Sequence, residues 1–438
     1  MIEKLGEWHR THYSNEIDKK LDGKQAIVMG WVREFRDLGK VKFIKLADRE
    51  GFLQIIIKKD MPAKILDKVK NLGREDVIAV KGIVKSNKEA PNGFEIVPDE
   101  IKVLNVSEKP LPLELETKKT PAELVTRLNA RFLDLRKHDV SAIFRISDSL
   151  KRSFFDYFKS NGFVDLNTPI IVEAAAEGGA TLFSMEYFDR EAYLNQSPQL
   201  YKQMVLASGF DKVNIVSRVF RAEPHDTPRH LNEIVQMDME EAFVNDEEQV
   251  LEHFDGYLQF AIDNIKKSCQ DMLKRLGIKI DGLKFPIKRL KYDDALKELK
   301  KKGIEIKWGD DLTPEAEKKL CELYNPVIVT KWPFSAKPFY CMKEDDPKYC
   351  KGFDLLLNGI EISSGAQREH RYDELVKNMK EKGLDPKDFS FYLDAFKYGM
   401  PPHAGWSIGL ERLTMTLLKL DNIKEASLFP RTKERLVP

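Results

Sequence analysis

The chain has 438 residues, of which 42% are hydrophobic and 33% are charged, and its formal net charge at pH 7 is +1. This is the composition of a globular protein large enough for two or three domains. It excludes a polycationic protein that coats nucleic acid. It also excludes a membrane-spanning helix, because no apolar run approaches the ~18 residues that a span requires.

Charge and cysteine usage give weaker indications. The first 105 residues carry 21 Lys and Arg against 17 Asp and Glu, a net charge of +4. This bias suits a polyanionic partner, although a solvated surface explains it equally well. The segment MIEKLGEWHR lacks the apolar stretch of a signal peptide. The cysteines form no C-x-x-C pair, which favours a reduced cytoplasm and argues against a zinc site; they are Cys269, Cys321, Cys341 and Cys350.

The first predicted elements are five short strands within residues 25–105: QAIVMGWVREF, KVKFIKLAD, GFLQIIIK, DVIAVKGIVK and GFEIVPDEIKVL. A helical segment, PAKILDKVKNL, separates the third strand from the fourth. Five strands at this spacing with one helix predict a small closed barrel of the OB type. Phe43 alternates with Ile44 and therefore faces outward, which suits stacking on a nucleic-acid base. Core packing remains the alternative, because Val41 shares its face.

A proline-rich and charged segment, SEKPLPLELETKKTPAEL, then predicts a domain boundary. Residues 140–162 have the apolar spacing of a helix that ends at an Asn-Gly pair. Beyond it strands and helices alternate, with a Lys/Glu-rich and mostly helical insertion at about 246–330. We therefore predict a barrel domain over residues 1–106, a linker over 107–138 and a larger domain over 139–438.

Two acidic residues are predicted to meet on the hairpin FDLLLNGIEISSG, whose Asn-Gly pair is a strong turn signal. Pairing outward from this turn places Asp354 opposite Ser363 and puts Asp354 and Glu361 on the same face. Two carboxylates among Leu and Ile are costly unless a cation lies between them. Mg²⁺ bound to nucleotide phosphates would serve; a pair of acids on a solvated sheet face is the alternative.

A second hairpin, VFRAEPHDTPRHLNEIVQMDMEEAF, carries several cations. Arg221 and Glu223 are two residues apart on a predicted strand and would share a face. Arg229 and His230 lie in the polar loop. Such a hairpin could hold a polyphosphate, although charged hairpins are common on protein surfaces.

The stretch GWSIGLER admits two interpretations. GWSIG matches the G-x-S-x-G elbow of serine hydrolases, but that elbow needs a later histidine, and none follows His403. Two prolines also precede the motif, which disfavours a central strand. We therefore expect Ser407 to lie in a tight turn without a catalytic role. The other interpretation is a turn that opens a helix and presents Arg412 to a phosphate.

Together and in this order, these segments resemble the class II aminoacyl-tRNA synthetases, and within them the aspartyl-tRNA synthetases of the archaeal/eukaryotic type. The resemblance runs nearly end to end, through GWVREFRDLG, RFLDLR, GFVDLNTP, AEGGATLF, QSPQLYKQ, FRAE…RHLNE, EISSGAQREH, YGMPPHAG and LERL. The three motifs of the class correspond to GFVDLNTP, which ends at Pro169, to FRAE…RHLNE and to GWSIGLER.

This resemblance implies an α+β protein with an antiparallel active-site sheet flanked by helices, an N-terminal OB-fold barrel that binds the anticodon, and a cytoplasmic homodimer with no membrane partner. It implies that L-aspartate attacks the α-phosphate of ATP and that the aspartyl group of the adenylate then passes to tRNA(Asp). Mg²⁺ is the implied cofactor.

The resemblance also implies roles for individual residues. Arg221 would contact the α-phosphate, Glu223 the adenine side of ATP or the tRNA acceptor end, and Arg412 and His230 the γ-phosphate. The implied metal ligands are Asp354, Glu361 and Ser364, of which Glu361 also belongs to the ATP site. The implied aspartate-binding residues are Glu177, Ser197, Gln199, Lys202, Asp238, Ser364 and Arg368. Because the simple register places Ser363 on the metal face, either the hairpin contains a bulge or one of the two serines is misassigned.

Substrate choice is expected to follow charge, because aspartate and asparagine are nearly isosteric. Arg368 and Lys202 in a dry pocket would be left unpaired by asparagine. Asparaginyl relatives lack the equivalent of Lys202, which favours aspartate over an asparaginyl-tRNA synthetase. An asparagine synthetase-like enzyme is a further alternative, but it lacks the barrel that is predicted here. A non-enzymatic paralogue would be expected to lose the phosphate-binding arginines or the metal acids, and this chain retains both sets.

By the same resemblance the barrel recognises the anticodon through Arg36, Phe43, Gln54 and Glu95. Arg33 and Pro91 fall at positions that differ between strict enzymes and relaxed ones, which also charge tRNA(Asn). Pro91 resembles the relaxed pattern and Arg33 matches neither, so the preference for the relaxed type is slight. Two departures from the family pattern, Ser407 for a glycine and Ile234 for an aromatic residue, are expected to affect ATP affinity rather than the reaction.

Overall fold

The structure is a computed structural model that describes residues 2–116, 122–173 and 182–438. The chain divides into two compact units, Met1–Val140 and Ser141–Pro438. No helix among these described residues is long and apolar enough to cross a membrane. The cysteines are buried and free.

The first unit contains a closed five-stranded barrel with strand order β1-β2-β3-β5-β4. Its elements are β1 Gln25–Asp37, β2 Val41–Ala47, β3 Phe52–Lys58, α1 Ala63–Lys70, β4 Val77–Ser86 and β5 Phe94–Asn105. The five predicted strands and the helix between the third and fourth are therefore confirmed. Alternating apolar residues such as Val28, Val32, Ile44, Leu46 and Ile55 fill the barrel, as expected of strands with one face buried. Two short helices follow, α2 Leu124–Asn129 and α3 Arg131–Asp134.

The second unit is built on an eight-stranded sheet with order β12-β13-β14-β15-β16-β11-β10-β6 and a three-stranded sheet with order β7-β9-β8. From α4 to α9 its elements are α4 His138–Ser160, β6 Val164–Asp165, β7 Ile171–Val172, β8 Ser184–Tyr187, β9 Arg190–Leu194, α5 Gln199–Leu206, β10 Lys212–Phe220, β11 Glu233–Ala242, α6 Glu248–Ser268, α7 Gln270–Leu276, β12 Lys288–Lys291, α8 Tyr292–Lys301 and α9 Pro314–Leu323. The remainder are β13 Val327–Pro333, β14 Tyr349–Leu357, β15 Ile360–Gln367, α10 Tyr372–Glu381, α11 Ser390–Lys397, β16 His403–Gly409 and α12 Leu410–Leu418.

The large sheet is antiparallel from β13 to β10, and its two edge pairs, β12–β13 and β10–β6, are parallel. Helices α4 and α6 pack against it around Trp406. Phe154 of α4 and Phe254 of α6 lie 6.2 Å and 4.4 Å from Trp406, ring centre to ring centre. Trp406 donates its indole N–H to the Val250 carbonyl at 2.9 Å. This aromatic core fixes one face of the central strands and leaves the other face for a site.

The predicted α4 helix is confirmed, since its apolar residues Ile143, Ile146, Leu150, Phe154 and Phe158 are all buried. The segment predicted as an insertion, 246–330, contains α6 to α9, β12 and the start of β13. Its first helix belongs to the main core, whereas α8 and α9 form a second cluster with β13 and β14.

Candidate active site

The second unit contains a cavity of about 280 Å³ over strands β11, β15 and β16. Nine of the predicted residues line it: Ser197, Gln199, Arg221, Glu223, His230, Glu361, Ser364, Arg368 and Arg412. Three others, Lys202, Asp238 and Asp354, are buried and bonded to residues around the cavity. Glu177 lies outside the described residues.

The arginine of the second motif, which is predicted to bind phosphate, lies just past a strand. β10 ends at Phe220, so Arg221 and Glu223 are in the following loop and not on a strand as predicted. Asn232 organises this loop, because its side-chain amide donates to the Arg221 carbonyl at 2.7 Å and to the Glu223 carbonyl at 3.2 Å. The Arg221 guanidinium itself has no hydrogen-bond partner among the described residues.

The loop of the same hairpin is tied to α9. Arg229 donates to the Glu317 carboxylate at 3.1 Å and to the Gly359 carbonyl at 3.3 Å. His230 contacts Thr227 at 2.5 Å and lies 3.5 Å from Glu223. Burial lowers the pKa of His230, and the nearby Arg412 acts in the same direction although Glu223 opposes them. A neutral imidazole with one N–H is therefore what this loop presents at neutral pH.

The acidic hairpin has the predicted turn but not the predicted register throughout. Leu356 pairs with Glu361 as expected, whereas Leu355 pairs with Ser363 and Asp354 with Ser364 because a bulge separates Leu355 from Leu356. A bulge inserts one extra residue and shifts the pairing beyond it. The pairing of Asp354 with Ser363 was wrong. The bulge places Ser364 beside Asp354, as the family resemblance required.

A lysine that the sequence analysis did not select, Lys337, forms an ion pair with one of the two acids. Lys337 donates to the Asp354 carboxylate oxygens at 2.6 and 2.5 Å. Burial alone would lower the pKa of Lys337, but Asp354 and Glu361 raise it. Burial and the Asp354 charge raise the pKa of Glu361 to about 7, although Arg412 and Lys337 oppose the shift. Asp354 is buried and Glu361 is half-buried at the cavity wall, so the nearby cations Lys337 and Arg412 offset the charge of these two acids.

Two carboxylates and the Ser364 hydroxyl are hard oxygen donors of the kind that Mg²⁺ prefers. No cluster of three or more His, Cys, Asp or Glu side chains able to hold a metal occurs among the described residues. These three donors would fill only part of the coordination shell of Mg²⁺ and would leave positions for other oxygen ligands.

The end of the cavity lined by Arg368 contains a buried charge network centred on Glu240, which the sequence analysis missed. Arg368 donates to Glu240 through Nε at 2.8 Å and Nη2 at 3.2 Å, and Nη2 also bonds the Gly405 carbonyl at 2.9 Å. Lys202 Nζ lies 3.1 Å from both Asp238 and Glu240. Burial would raise the pKa of Glu240, but Arg368 and Lys202 lower it to about 2. Glu240 thus holds both cations in place.

Arg368 and Lys202 differ in whether they line the cavity. Arg368 lines it, and its Nη1 has no hydrogen-bond partner among the described residues. Lys202 lies behind, and its ammonium also reaches the Trp406 carbonyl at 3.5 Å, so its donors are all engaged. Arg368 is therefore the cation that can meet a carboxylate directly, while Lys202 acts through Glu240 and Asp238.

Gln199 is positioned by a hydrogen-bond chain that sequence reasoning also missed. Its amide donates to Gln203 Oε1 at 2.9 Å, and the Gln203 amide lies 2.8 Å from His403 Nε2. His403 Nδ1 lies 2.8 Å from the Pro401 carbonyl, which can only accept, so Nδ1 carries the proton and Nε2 accepts from Gln203. Burial lowers the pKa of His403 to about 4. The PPHAG segment was the available signal for this histidine.

Ser407 lies inside strand β16 and not in the predicted turn, because the strand begins immediately after the two prolines. It pairs with Asp238 on one side and Ser364 on the other and lines the cavity. Gly409 then opens α12, and Arg412 in its first turn donates to the Glu361 carbonyl at 3.0 Å. The helix-opening interpretation of GWSIGLER is the one that matches this geometry.

Comparison with known proteins agrees with this arrangement. The family described as "tRNA synthetases class II (D, K and N)" matches residues 123–433, and "OB-fold nucleic acid binding domain" matches residues 26–104. The chain belongs to the class II aminoacyl-tRNA synthetases. Its predicted α+β architecture, with an OB-fold barrel and a class II catalytic domain, is thereby confirmed.

Individual members of this synthetase family are similar over nearly the whole chain. The aspartate–tRNA(Asp/Asn) ligase of Methanocaldococcus jannaschii is 47% identical over 441 residues, covering 100% of each chain. The aspartate–tRNA(Asp) ligase of Pyrococcus furiosus is 47% identical over 440 residues, covering 98% of this chain and 100% of that one. The asparaginyl-tRNA synthetase of Pyrococcus horikoshii complexed with asparaginyl-adenylate has a TM-score of 0.93 at 33% identity, covering 98% of this chain and 100% of that one.

In the barrel of this synthetase, the predicted anticodon-binding residues share one outer face. Arg36 pairs with Phe43 across β1 and β2, and Gln54 pairs with Glu95 across β3 and β5. The Arg36 side chain is 66% exposed. Gln54 donates to Glu95 at 2.8 Å. Phe43 is half-buried and is not part of the barrel core cluster formed by the described residues.

The two predicted tRNA-specificity positions differ in accessibility. Pro91 is exposed. Arg33 is 3% exposed, lies 3.2 Å from Glu75 and donates to the Arg136 carbonyl at 3.3 Å. Any influence of Arg33 on RNA would therefore be exerted through the segments that it holds.

Proposed function

We propose that this synthetase is an ATP-dependent aspartate–tRNA ligase. An oxygen of the aspartate α-carboxylate attacks the α-phosphorus of ATP, pyrophosphate leaves, and the aspartyl group is then transferred to the terminal adenosine of tRNA(Asp). The substrate itself supplies the nucleophile, so the protein contributes positioning and electrostatic stabilisation.

The observation that carries this proposal is the buried Arg368 guanidinium at the cavity wall. One edge of the guanidinium is fixed by Glu240 and Gly405, and Nη1 is left for a ligand. A side-chain carboxylate would pair with it, whereas the amide of asparagine would offer an NH₂ group or a neutral oxygen. Asp238, one oxygen of which has no hydrogen-bond partner among the described residues, is suited to the substrate ammonium. Ser197, Gln199 and Glu177 complete the proposed aspartate site.

The ATP site is proposed at the other end of the cavity. Arg221 would bind the α-phosphate, His230 and Arg412 the γ-phosphate, and Glu223 the adenine side or the tRNA acceptor end. Asp354, Glu361 and Ser364 would hold Mg²⁺. When bound, that ion neutralises phosphate charge.

The barrel is proposed to bind the anticodon through the outer face that carries Arg36, Phe43, Gln54 and Glu95. Curated relatives of similar identity include both tRNA(Asp/Asn) and tRNA(Asp) ligases. Together with Pro91, this supports activity on tRNA(Asn) as well as tRNA(Asp), although the buried Arg33 adds no support of its own.

A homodimer formed partly through the first motif is also proposed. The residues around Pro169 expose apolar side chains, among them Val164 at 42%, Ile170 at 39%, Ile171 at 44% and Phe183 at 37%. Exposed apolar residues grouped in this way are typical of an interface. The cytoplasmic location and the domain limits 1–106, 107–138 and 139–438 stay predictions.

Two measurements test the proposal. Purified protein should catalyse pyrophosphate exchange into ATP with aspartate and not with asparagine. It should then charge transcripts of tRNA(Asp) and tRNA(Asn) with labelled aspartate when the two are compared side by side. Exchange that depends on asparagine would contradict the assignment of the substrate, and charging of tRNA(Asp) alone would contradict the relaxed tRNA choice.

A further inference from the structure

Lys337 is a partly buried cation beside the carboxylates that are proposed to hold a metal ion. Its side chain is 10% exposed and lies at the cavity wall, just after a short 3-10 turn, Phe334–Ala336. The ammonium packs over the Trp332 ring at 4.3 Å from the ring centre. Trp332 is itself buried, so the lysine stem is held on the sheet rather than free in solvent.

The contacts of this ammonium coincide with those that a metal ion would make. Lys337 bonds both oxygens of Asp354, at 2.6 and 2.5 Å. Its charge also acts on Glu361 and on Asp311, a third carboxylate at the cavity wall. A monovalent cation thus already neutralises Asp354, a carboxylate that could otherwise attract a divalent cation.

Mg²⁺ binds carboxylates through the same oxygens and gives up its water reluctantly. To reach Asp354 in the free protein it would have to displace a hydrogen-bonded ammonium or remain beside it in a site of low dielectric, where like charges repel strongly. A nucleotide changes this balance, because its phosphates bring several negative charges and additional oxygen ligands.

We propose that Lys337 is an internal counter-cation of the metal site: it competes with Mg²⁺ for Asp354, so that the free protein binds the ion weakly and the ion enters together with ATP. Lys337 is thus a positioning residue for the metal. This inference rests on the proposed assignment of Asp354 and Glu361 as metal ligands.

Binding of Mn²⁺ as a spectroscopic substitute for Mg²⁺ tests this directly. Free Mn²⁺ is measured by electron paramagnetic resonance with the whole protein, with and without a non-hydrolysable ATP analogue. Lys337→Gln keeps a hydrogen-bond donor for Asp354 but removes the charge, and should bind Mn²⁺ at least tenfold more tightly than wild type without nucleotide. Lys348→Gln, which removes the charge of an exposed lysine nearby in the chain, is the matched control and should match wild type.

A second variant, Lys337→Arg, should change Mn²⁺ affinity in the opposite direction. It also keeps the inference testable if Lys337→Gln fails to fold. A guanidinium can form a two-pronged pair with both oxygens of Asp354, so Mn²⁺ binding with the nucleotide analogue present should weaken at least tenfold. Unchanged Mn²⁺ affinity without nucleotide in Lys337→Gln, or unchanged affinity with nucleotide in Lys337→Arg, would overturn the inference.

Failure of the proposed function would look different. Wild-type protein without aspartate-dependent pyrophosphate exchange would contradict the function itself. Normal exchange combined with unchanged Mn²⁺ binding in the Lys337 variants would contradict only the counter-cation role.

Discussion

Replacement of Arg368 by leucine tests both its structural role as the partner of Glu240 and its proposed role in binding aspartate. The change removes two hydrogen bonds to Glu240, at 2.8 and 3.2 Å, and one to the Gly405 carbonyl, at 2.9 Å. Glu240 would then remain fully buried with Lys202 as its remaining cation, at 3.1 Å. Breaking one side of a buried ion pair typically costs about 3–5 kcal/mol of stability. Because Lys202 remains, we expect a loss near the lower limit, about 3 kcal/mol.

Aspartate activation should fall as well, because the substrate carboxylate loses its cation. Truncating one partner of a buried, hydrogen-bonded charge pair typically costs about 2–5 kcal/mol, which corresponds to roughly 30- to 5,000-fold in kcat/KM. The assay is aspartate-dependent pyrophosphate exchange, with urea unfolding measured on the same preparation.

The double variant Arg368→Leu/Glu240→Leu is the decisive control. It removes both charges, so stability should recover toward wild type, whereas aspartate activation should remain at the level of the single variant. If the double variant regained both stability and activation, Arg368 would be a structural partner of Glu240 and not the residue that binds the substrate carboxylate. Near-normal exchange in the single variant would refute the reasoning equally.

Three further changes test other parts of the protein. Phe43→Ala should weaken tRNA binding in the charging assay by about 1–3 kcal/mol, the contribution of one stacked base, and should leave aspartate-dependent exchange unchanged. An equal fall in both assays would show that Phe43 supports the barrel instead. Ser407→Ala should retain charging because the substrate carboxylate is the nucleophile, so complete loss would revive a catalytic serine. Since burial lowers the pKa of His403 from 6.5 to about 4, the unfolded state takes up this proton first as the pH falls below 6.5. When the pH is lowered from 7 to 5, the unfolding free energy of wild type should fall by about 2 kcal/mol more than that of His403→Gln. Urea-unfolding free energies that depend on pH in the same way for both proteins would contradict this.

The sequence by itself determined the elements whose signals are local. Short apolar runs separated by turns predicted the five barrel strands, and the helical spacing from Ile143 to Phe158 predicted α4. The Asn-Gly pair located the turn between β14 and β15. The ordered motifs predicted the family and most of the side chains that now line one cavity.

Tertiary structure decided the features that depend on residues far apart in the chain. The β-bulge that exchanges Ser363 for Ser364 beside Asp354 arises from pairing in the sheet and leaves no local mark. Glu240 could not be recognised as the partner of Arg368 from the sequence. The two residues meet because β11 pairs with β16, and Arg368, at the end of β15, then reaches Glu240. Lys337 likewise could not be selected from the sequence, because its ion pair with Asp354 forms only in the folded protein. The value of a buried charge is set by its partners and its desolvation, and neither can be read from the one-dimensional order of residues.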